Sequence, residues 1–214
     1  ISKKVKERIL DIVRTEFGGN MYEVIVGGAG LNKEIEDFLV NIGFPITMGY
    51  GTTETAPLIT YTDWHDFQAR SCGTPVKNME VKIASNNPEN IPGEIITRGL
   101  NVMLGYYKNE EATKAVMDNE GWYHTGDLAT MSADGHVFIR GRIKNMLLGA
   151  NGQNVYPEEI ENKLNSMTLV SECLVLQKEE KLIALVHPDY EEAEAMGFSG
   201  EDLQSIMEQN RGNL

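Results

Sequence analysis

Three clusters in these 214 residues combine side chains able to handle a nucleotide. The first is a pair of glycine-containing runs, Gly27-Gly28-Ala29-Gly30 and Gly49-Tyr50-Gly51-Thr52-Thr53-Glu54. Glycine lets a backbone approach a flat ring or a phosphate closely. Short glycine runs are weak signals, so Gly27 to Gly30 taken alone reads first as a tight strand-to-helix turn. The second run is richer. Tyr50 offers a ring to a base, Thr53 a hydroxyl to a phosphate oxygen, and Glu54 a hard oxygen to Mg²⁺. By itself Glu54 would equally suit the first turn of a helix, where the dipole favours negative charge. The second cluster is Gly121-Trp122-Tyr123-His124-Thr125-Gly126-Asp127. Asp127 on a rigid β segment could accept bonds from the two neighbouring hydroxyls of a ribose, or simply cap a turn after Gly126. Trp122 and His124 read as packing residues. In the third cluster, Gly141-Arg142-Ile143-Lys144-Asn145, Arg142 could reach a ribose or phosphate, although composition alone gives only a charged linker.

Elements of the right kind surround these residues. Ile9, Ile12, Val13 and Phe17 recur at helical spacing. Glu23 to Val26 reads as a short buried strand running into the first glycine loop. A helix follows, capped by Asn32, carrying Ile35, Phe38, Leu39 and Ile42 on one face and ending at Gly43. Pro45 to Met48 starts a second strand that runs into Gly49. This βαβ unit predicts parallel neighbours with both glycine loops past the strands' carboxyl ends, where open α/β sheets bind ligands. From about residue 70 to 141 the pattern becomes antiparallel β, with Asp134-Gly135 marking a hairpin. After 142, Pro157 fits the first turn of a helix carrying Ile160 and Leu164. Two strands follow, Cys173 to Leu176 and Leu182 to His187, and Ser199 with Asp202 resembles a capping box.

The net charge is −13, which repels phosphate backbones and argues against nucleic-acid binding, while leaving a small nucleotide open. Cys72 and Cys173 are too few and too far apart for a disulfide framework or a metal site, and read as ordinary thiols of a reducing cytosol. No apolar run approaches membrane-spanning length. No histidine lies beside a Ser or Cys in a pattern that suggests a nucleophile and base.

Taken in order, the runs Gly49 to Thr55, Gly93 to Gly99, Gly105-Tyr106-Tyr107 with Ala112-Thr113, Gly121 to Asp127, Gly141-Arg142 and Asn154 to Glu161 resemble the adenylate-forming superfamily of acyl-CoA synthetases, luciferases and peptide-synthetase adenylation domains. The likeness covers nearly the whole chain. It implies a mixed α/β and α+β architecture. Residues 1–142 would be the C-terminal part of a large AMP-binding domain, α/β over 1–60 and a distorted antiparallel barrel over 61–142. Residues 143–214 would be part of a small, mobile α+β domain.

The resemblance further implies a two-step reaction: a carboxylate attacks ATP to give an acyl-adenylate and pyrophosphate, and the thiol of coenzyme A then takes the acyl group. Carried over by position, Gly28, Ala29, Gly49, Tyr50 and Gly51 would line the adenine, Thr53 would meet the α-phosphate, and Glu54 would coordinate Mg²⁺. Asp127 would bind the ribose hydroxyls, and Arg142 the ribose or phosphate. Lys144 would be the hinge, where many relatives have Asp, and Gly152 would lie beside the tunnel for coenzyme A. The Gly-Gly-Ala-Gly, Thr-Thr-Glu-Thr-Ala-Pro and Asn-Val-Tyr-Pro-Glu-Glu-Ile-Glu runs are most like bacterial long-chain fatty acid ligases. A ligase for an aryl or medium-chain acid is the near alternative, and a non-catalytic nucleotide-binding module of the same fold the more distant one. A cytoplasmic protein follows from this, with peripheral membrane association compatible and the oligomeric state open. The family's phosphate-gripping loop and its adenylating lysine match nothing here. The sequence, lacking an initiator Met, therefore reads as a piece of a longer enzyme, without significant synthetase activity by itself.

Overall fold

The computed structural model describes residues 2–149, 152–179 and 181–212. Ile1, Ala150, Asn151, Glu180, Asn213 and Leu214 lie outside them. The chain divides into two compact units, residues 1–140 and 141–214.

The first unit opens with α1 (Lys3–Glu16), β1 (Val24–Val26), α2 (Lys33–Ile42) and β2 (Ile46–Met48). β1 and β2 pair in parallel, Val24 against Ile46 and Val26 against Met48, as the βαβ pattern requires. Asn32 caps α2 by accepting bonds from the amides of Glu34 and Ile35. Gly43 ends it with φ +77°, a left-handed conformation that costs glycine nothing. Ile42, Phe44 and Ile46 form the core here, with Ile9, Leu10, Val13, Val24, Val26 and Leu39 packed against them. The apolar stripes are wider than this core. Ile12 on α1, and Ile35 and Phe38 on α2, are exposed, so helical spacing identified the faces but not how much of each is covered.

β3 (Tyr50–Gly51), β4 (Leu58–Tyr61) and β5 (Thr74–Pro75) make a three-stranded antiparallel sheet. β6 (Met79–Ala84), β7 (Gly93–Gly99), β8 (Tyr123–Met131) and β9 (Val137–Arg142) make a four-stranded one in sequential order, with α3 (Glu110–Val116) between β7 and β8. Reciprocal backbone bonds stitch the two together: Cys72 N–H donates to the Val137 carbonyl at 2.8 Å, and Val137 N–H to the Gly73 carbonyl at 2.9 Å. Ile83, Ile95, Ala129 and Val137 form the centre of the larger sheet, and Tyr50 packs against them. That packing ties the second glycine loop to the β-rich layer. Burial pushes the Cys72 thiol up to about 11, so it stays protonated and inert at neutral pH.

The second unit contains β10 (Leu147–Leu148), β11 (Asn154–Val155), α4 (Pro157–Asn165), β12 (Val170–Lys178), β13 (Lys181–Pro188), α5 (Tyr190–Ala195) and α6 (Gly200–Gly212). β12 and β13 form the antiparallel pair that the sequence indicated, with α4 packed on them. Pro157 takes the first turn of α4. Ser199 and Asp202 exchange bonds ahead of α6 as a capping pair. Among the described residues no helix is long and apolar enough to cross a membrane.

Candidate functional site

The two glycine loops leave the carboxyl ends of β1 and β2 side by side. Gly49 N–H donates to the Val26 carbonyl at 3.0 Å, and a Cβ placed on Gly27 would sit 3.6 Å from the Gly49 carbonyl oxygen. Gly28 has φ +84° and Ala29 follows it on an exposed bend. Gly51 is a glycine for steric reasons: any Cβ there would fall on the carbonyl of Pro57. Thr52 to Pro57 then fold into a tight turn. Thr52 N–H bonds both the Thr55 hydroxyl and the Pro57 carbonyl, and the Asn101 amide donates to the carbonyls of Thr55 and Leu58. Thr53 is left exposed at its tip, and Glu54 half-buried.

Glu54 is held by a residue from another segment. Tyr106 donates its hydroxyl to Glu54 Oε1 at 2.8 Å. Tyr106 is itself fixed, its amide donating to the Thr113 hydroxyl on α3, while Asn109 caps that helix. Partial burial alone would raise the Glu54 carboxyl. The Tyr106 hydroxyl, its own backbone amide and the Tyr123 and Thr52 hydroxyls outweigh burial and hold it below the usual carboxylate range. Glu54 is therefore an anion at neutral pH.

Tyr50 and Asp127 meet across 77 positions: the phenol donates to Asp127 Oδ2 at 2.6 Å. Burial first, then the Asp127 charge, pushes the Tyr50 phenol far above its ordinary value, so it remains a donor. Any stacking on a base would be done by its ring, since the hydroxyl is engaged. Asp127 itself lies in an irregular stretch of β8. Opposite β7, Glu94 faces Leu128 and Ile96 faces His124, so Thr125, Gly126 and Asp127 bulge against the single residue Ile95. Gly126 takes φ +73° to allow this. The Thr125 hydroxyl donates to the Ile95 carbonyl at 2.8 Å and accepts the Asp127 amide at 3.0 Å. Bulges of this kind re-aim a side chain and concentrate near functional sites.

Of the residues singled out in sequence, Gly49, Tyr50, Gly51, Thr53, Glu54 and Asp127 thus lie on connected elements of one unit, beside Gly28 and Ala29. Trp122 packs, with Lys82 Nζ 4.0 Å and Arg98 4.7 Å from its ring centre. His124 instead bonds Glu94 at 2.8 Å. Arg142, Lys144 and Gly152 belong to the second unit. Arg142 is exposed at the end of β9, Lys144 sits in the short 3-10 turn Ile143–Asn145, and Gly152 has φ +77°. Tyr106, Asn101 and Glu94 had no assigned role in the sequence. For Glu94 the sequence offered only a carboxylate near the start of a strand that also carries Thr97 and Arg98.

Among the described residues no three metal-ligating side chains cluster. The single ionised carboxylate of Glu54 beside the second glycine loop fits Mg²⁺, which takes one or two carboxylates and fills its remaining positions with phosphate oxygens and water.

Paired glycine loops at parallel strand ends, with an aspartate on a bulged strand bonded to one of them, form an arrangement open to a small ligand. The family model for AMP-binding enzymes matches residues 3–107, and the chain belongs to the adenylate-forming superfamily of acyl-CoA synthetases. Long-chain-fatty-acid–CoA ligase FadD15 of Mycobacterium bovis is 34% identical over 164 residues, covering 77% of this chain and 26% of that protein. Feruloyl-CoA synthase of an Amycolatopsis species is 35% identical over 159 residues, covering 72% and 32%. The solved structure of o-succinylbenzoate CoA synthetase (MenE) of Bacillus subtilis, in complex with its acyl-adenylate intermediate, matches with a TM-score of 0.73 at 26% identity, over 89% of this chain and 42% of that one. The chain spans about a quarter to a third of the length of these curated relatives. They are acid–thiol ligases that differ in the acid each is named for.

Proposed function

We propose that this chain supplies the adenine, ribose and metal contacts of an acyl-CoA ligase whose acid is a long-chain fatty acid. In the first half-reaction a carboxylate oxygen attacks the α-phosphorus of ATP, the bond to pyrophosphate breaks, and an acyl-adenylate forms. In the second, the sulfur of coenzyme A attacks the acyl carbon and AMP leaves. The carrying observation is the linked pair of contacts, Tyr50 to Asp127 and Tyr106 to Glu54, at the mouth of the glycine loops.

Each residue has a stated part in this reading. Gly28, Ala29, Gly49 and Gly51 keep the backbone low enough for a flat base, and the Tyr50 ring covers it. Asp127, pinned by the Tyr50 hydroxyl, accepts from the ribose hydroxyls. Thr53, exposed at the turn, donates to the α-phosphate. Glu54 would hold Mg²⁺, which supplies charge neutralisation to the phosphates when bound. Arg142 contacts ribose or phosphate, Lys144 acts as the hinge and Gly152 lines the path for coenzyme A. With the first unit's loops holding the nucleotide, orientation and electrostatics would do most of the catalysis.

An aromatic acid is the second reading, favoured by the feruloyl-CoA synthase relative, as similar to this chain as the fatty acid ligase. Hydroxylamine trapping of adenylates, in the full-length gene product carrying these residues, separates them. Palmitate is expected to be turned over at least about tenfold faster than ferulate, a difference of roughly 1.4 kcal/mol. A ferulate preference would establish the second reading, and trapping with no acid at all would defeat both.

A further inference from the structure

We propose that Glu94 on β7 is a positioning residue for Asp127, clamping from the neighbouring strand the bulge that presents the ribose-binding carboxylate. The inference rests on the reading of Asp127 as the ribose ligand. Glu94 divides its two oxygens. Oε1 accepts the Gly126 amide at 3.0 Å, and Oε2 meets His124 Nδ1 at 2.8 Å. Both partners flank Thr125, the residue whose hydroxyl bridges the Ile95 carbonyl and the Asp127 amide.

The chain of causes is short. Two extra residues on β8 break the ladder opposite Ile95, which leaves the Gly126 amide without a strand partner. A backbone donor in a half-buried position needs an acceptor. Glu94, in register with Leu128, is the side chain that supplies it. His124, one turn of the ladder earlier, holds the other oxygen and so fixes the carboxylate's plane. Its Nε2 is also 3.9 Å from Asp118 Oδ2, which orients the imidazole from the opposite side. With the amides of Gly126 and Asp127 both satisfied, the bulge has one conformation, and in it Asp127 Oδ2 lies 2.6 Å from the Tyr50 hydroxyl. Without Glu94 the Gly126 peptide is free to turn, and Asp127 turns with it.

A positioning role differs from mere support of the sheet in one measurable way: it weakens recognition of the ribose hydroxyls more than of the rest of the nucleotide. The test is calorimetric binding of AMP and of 3′-deoxy-AMP to the chain. A hydrogen bond to a carboxylate is worth about tenfold or more in affinity, so the unmodified protein is expected to prefer AMP by that factor. Glu94→Ala should reduce the preference to about threefold or less while 3′-deoxy-AMP binding changes little, and amide exchange at Gly126 should accelerate. Glu94→Gln, which keeps an acceptor for Gly126 and a polar atom for His124, should restore both. If Glu94→Ala does not fold, Glu94→Met keeps the volume without the acceptors and bears the same prediction. A variant that weakens both ligands equally, or keeps the full preference, overturns the role of Glu94 alone. Equal binding of the two nucleotides by the unmodified protein overturns the ribose reading of Asp127, and the role of Glu94 with it.

Discussion

Tyr50 and Asp127 belong to different sheets and different motifs, yet one 2.6 Å hydrogen bond makes them a single group. Their residue types were legible in the sequence because tyrosine after glycine, and aspartate after Thr-Gly, are conspicuous. The bond itself was not, since nothing local records which residues meet across 77 positions. The same holds for Tyr106, whose hydroxyl fixes Glu54 from 52 positions away. The phenols give a test at this scale. Burial first pushes Tyr123 up to about 12, the hydrogen bond to Glu23 first does the same for Tyr61, and Tyr50 lies higher still. A folded-state value above the ordinary 10.0 means stability that is complete below pH 10 and lost as pH rises through the folded values. Spectrophotometric titration should therefore show these phenols ionising only as the protein unfolds at alkaline pH, with Tyr50→Phe reducing the loss of stability above pH 10. Simultaneous ionisation of every tyrosine near pH 10 in the folded protein would contradict this.

At the scale of elements, periodicity and capping chemistry located α2, α4, the β1–β2 pair and the β8–β9 hairpin, because each rests on local rules. The bulge in β8 escaped them. By residue type the Thr125-Gly126-Asp127 run allows either a β segment or a turn, and only its pairing against Ile95 shows a strand with two extra residues. Exposure of Ile35 and Phe38 has the same origin, since a helical stripe says which residues share a face and not what faces them. Ile95 itself, fully buried beneath the bulge and in contact with Ile83, Ala129 and Val137, is where sheet and site share a support. Ile95→Ala should cost about 2–5 kcal/mol, read as a lower urea midpoint, because it removes core volume that the surrounding strands cannot fill. A loss under about 1 kcal/mol would mean that the sheet repacks and does not hold the bulge rigidly.

For the molecule as a whole, two compact units divide the proposed roles. Gly28, Ala29, Gly49, Tyr50, Gly51, Thr53, Glu54 and Asp127 fall in the first, and Arg142, Lys144 and Gly152 in the second. On the proposed reading, nucleotide contact rests on the first unit's loops. These 214 residues are accordingly expected to contact AMP through the first unit's loops. The most direct test of the central claim is an NMR titration of the chain with AMP. The account predicts that amide shifts concentrate at residues 27–30, 49–54 and 123–127, and that Asp127→Asn weakens binding by about tenfold, the loss of one charge-assisted bond. Shifts confined to other surfaces, or binding unchanged by Asp127→Asn, would contradict it.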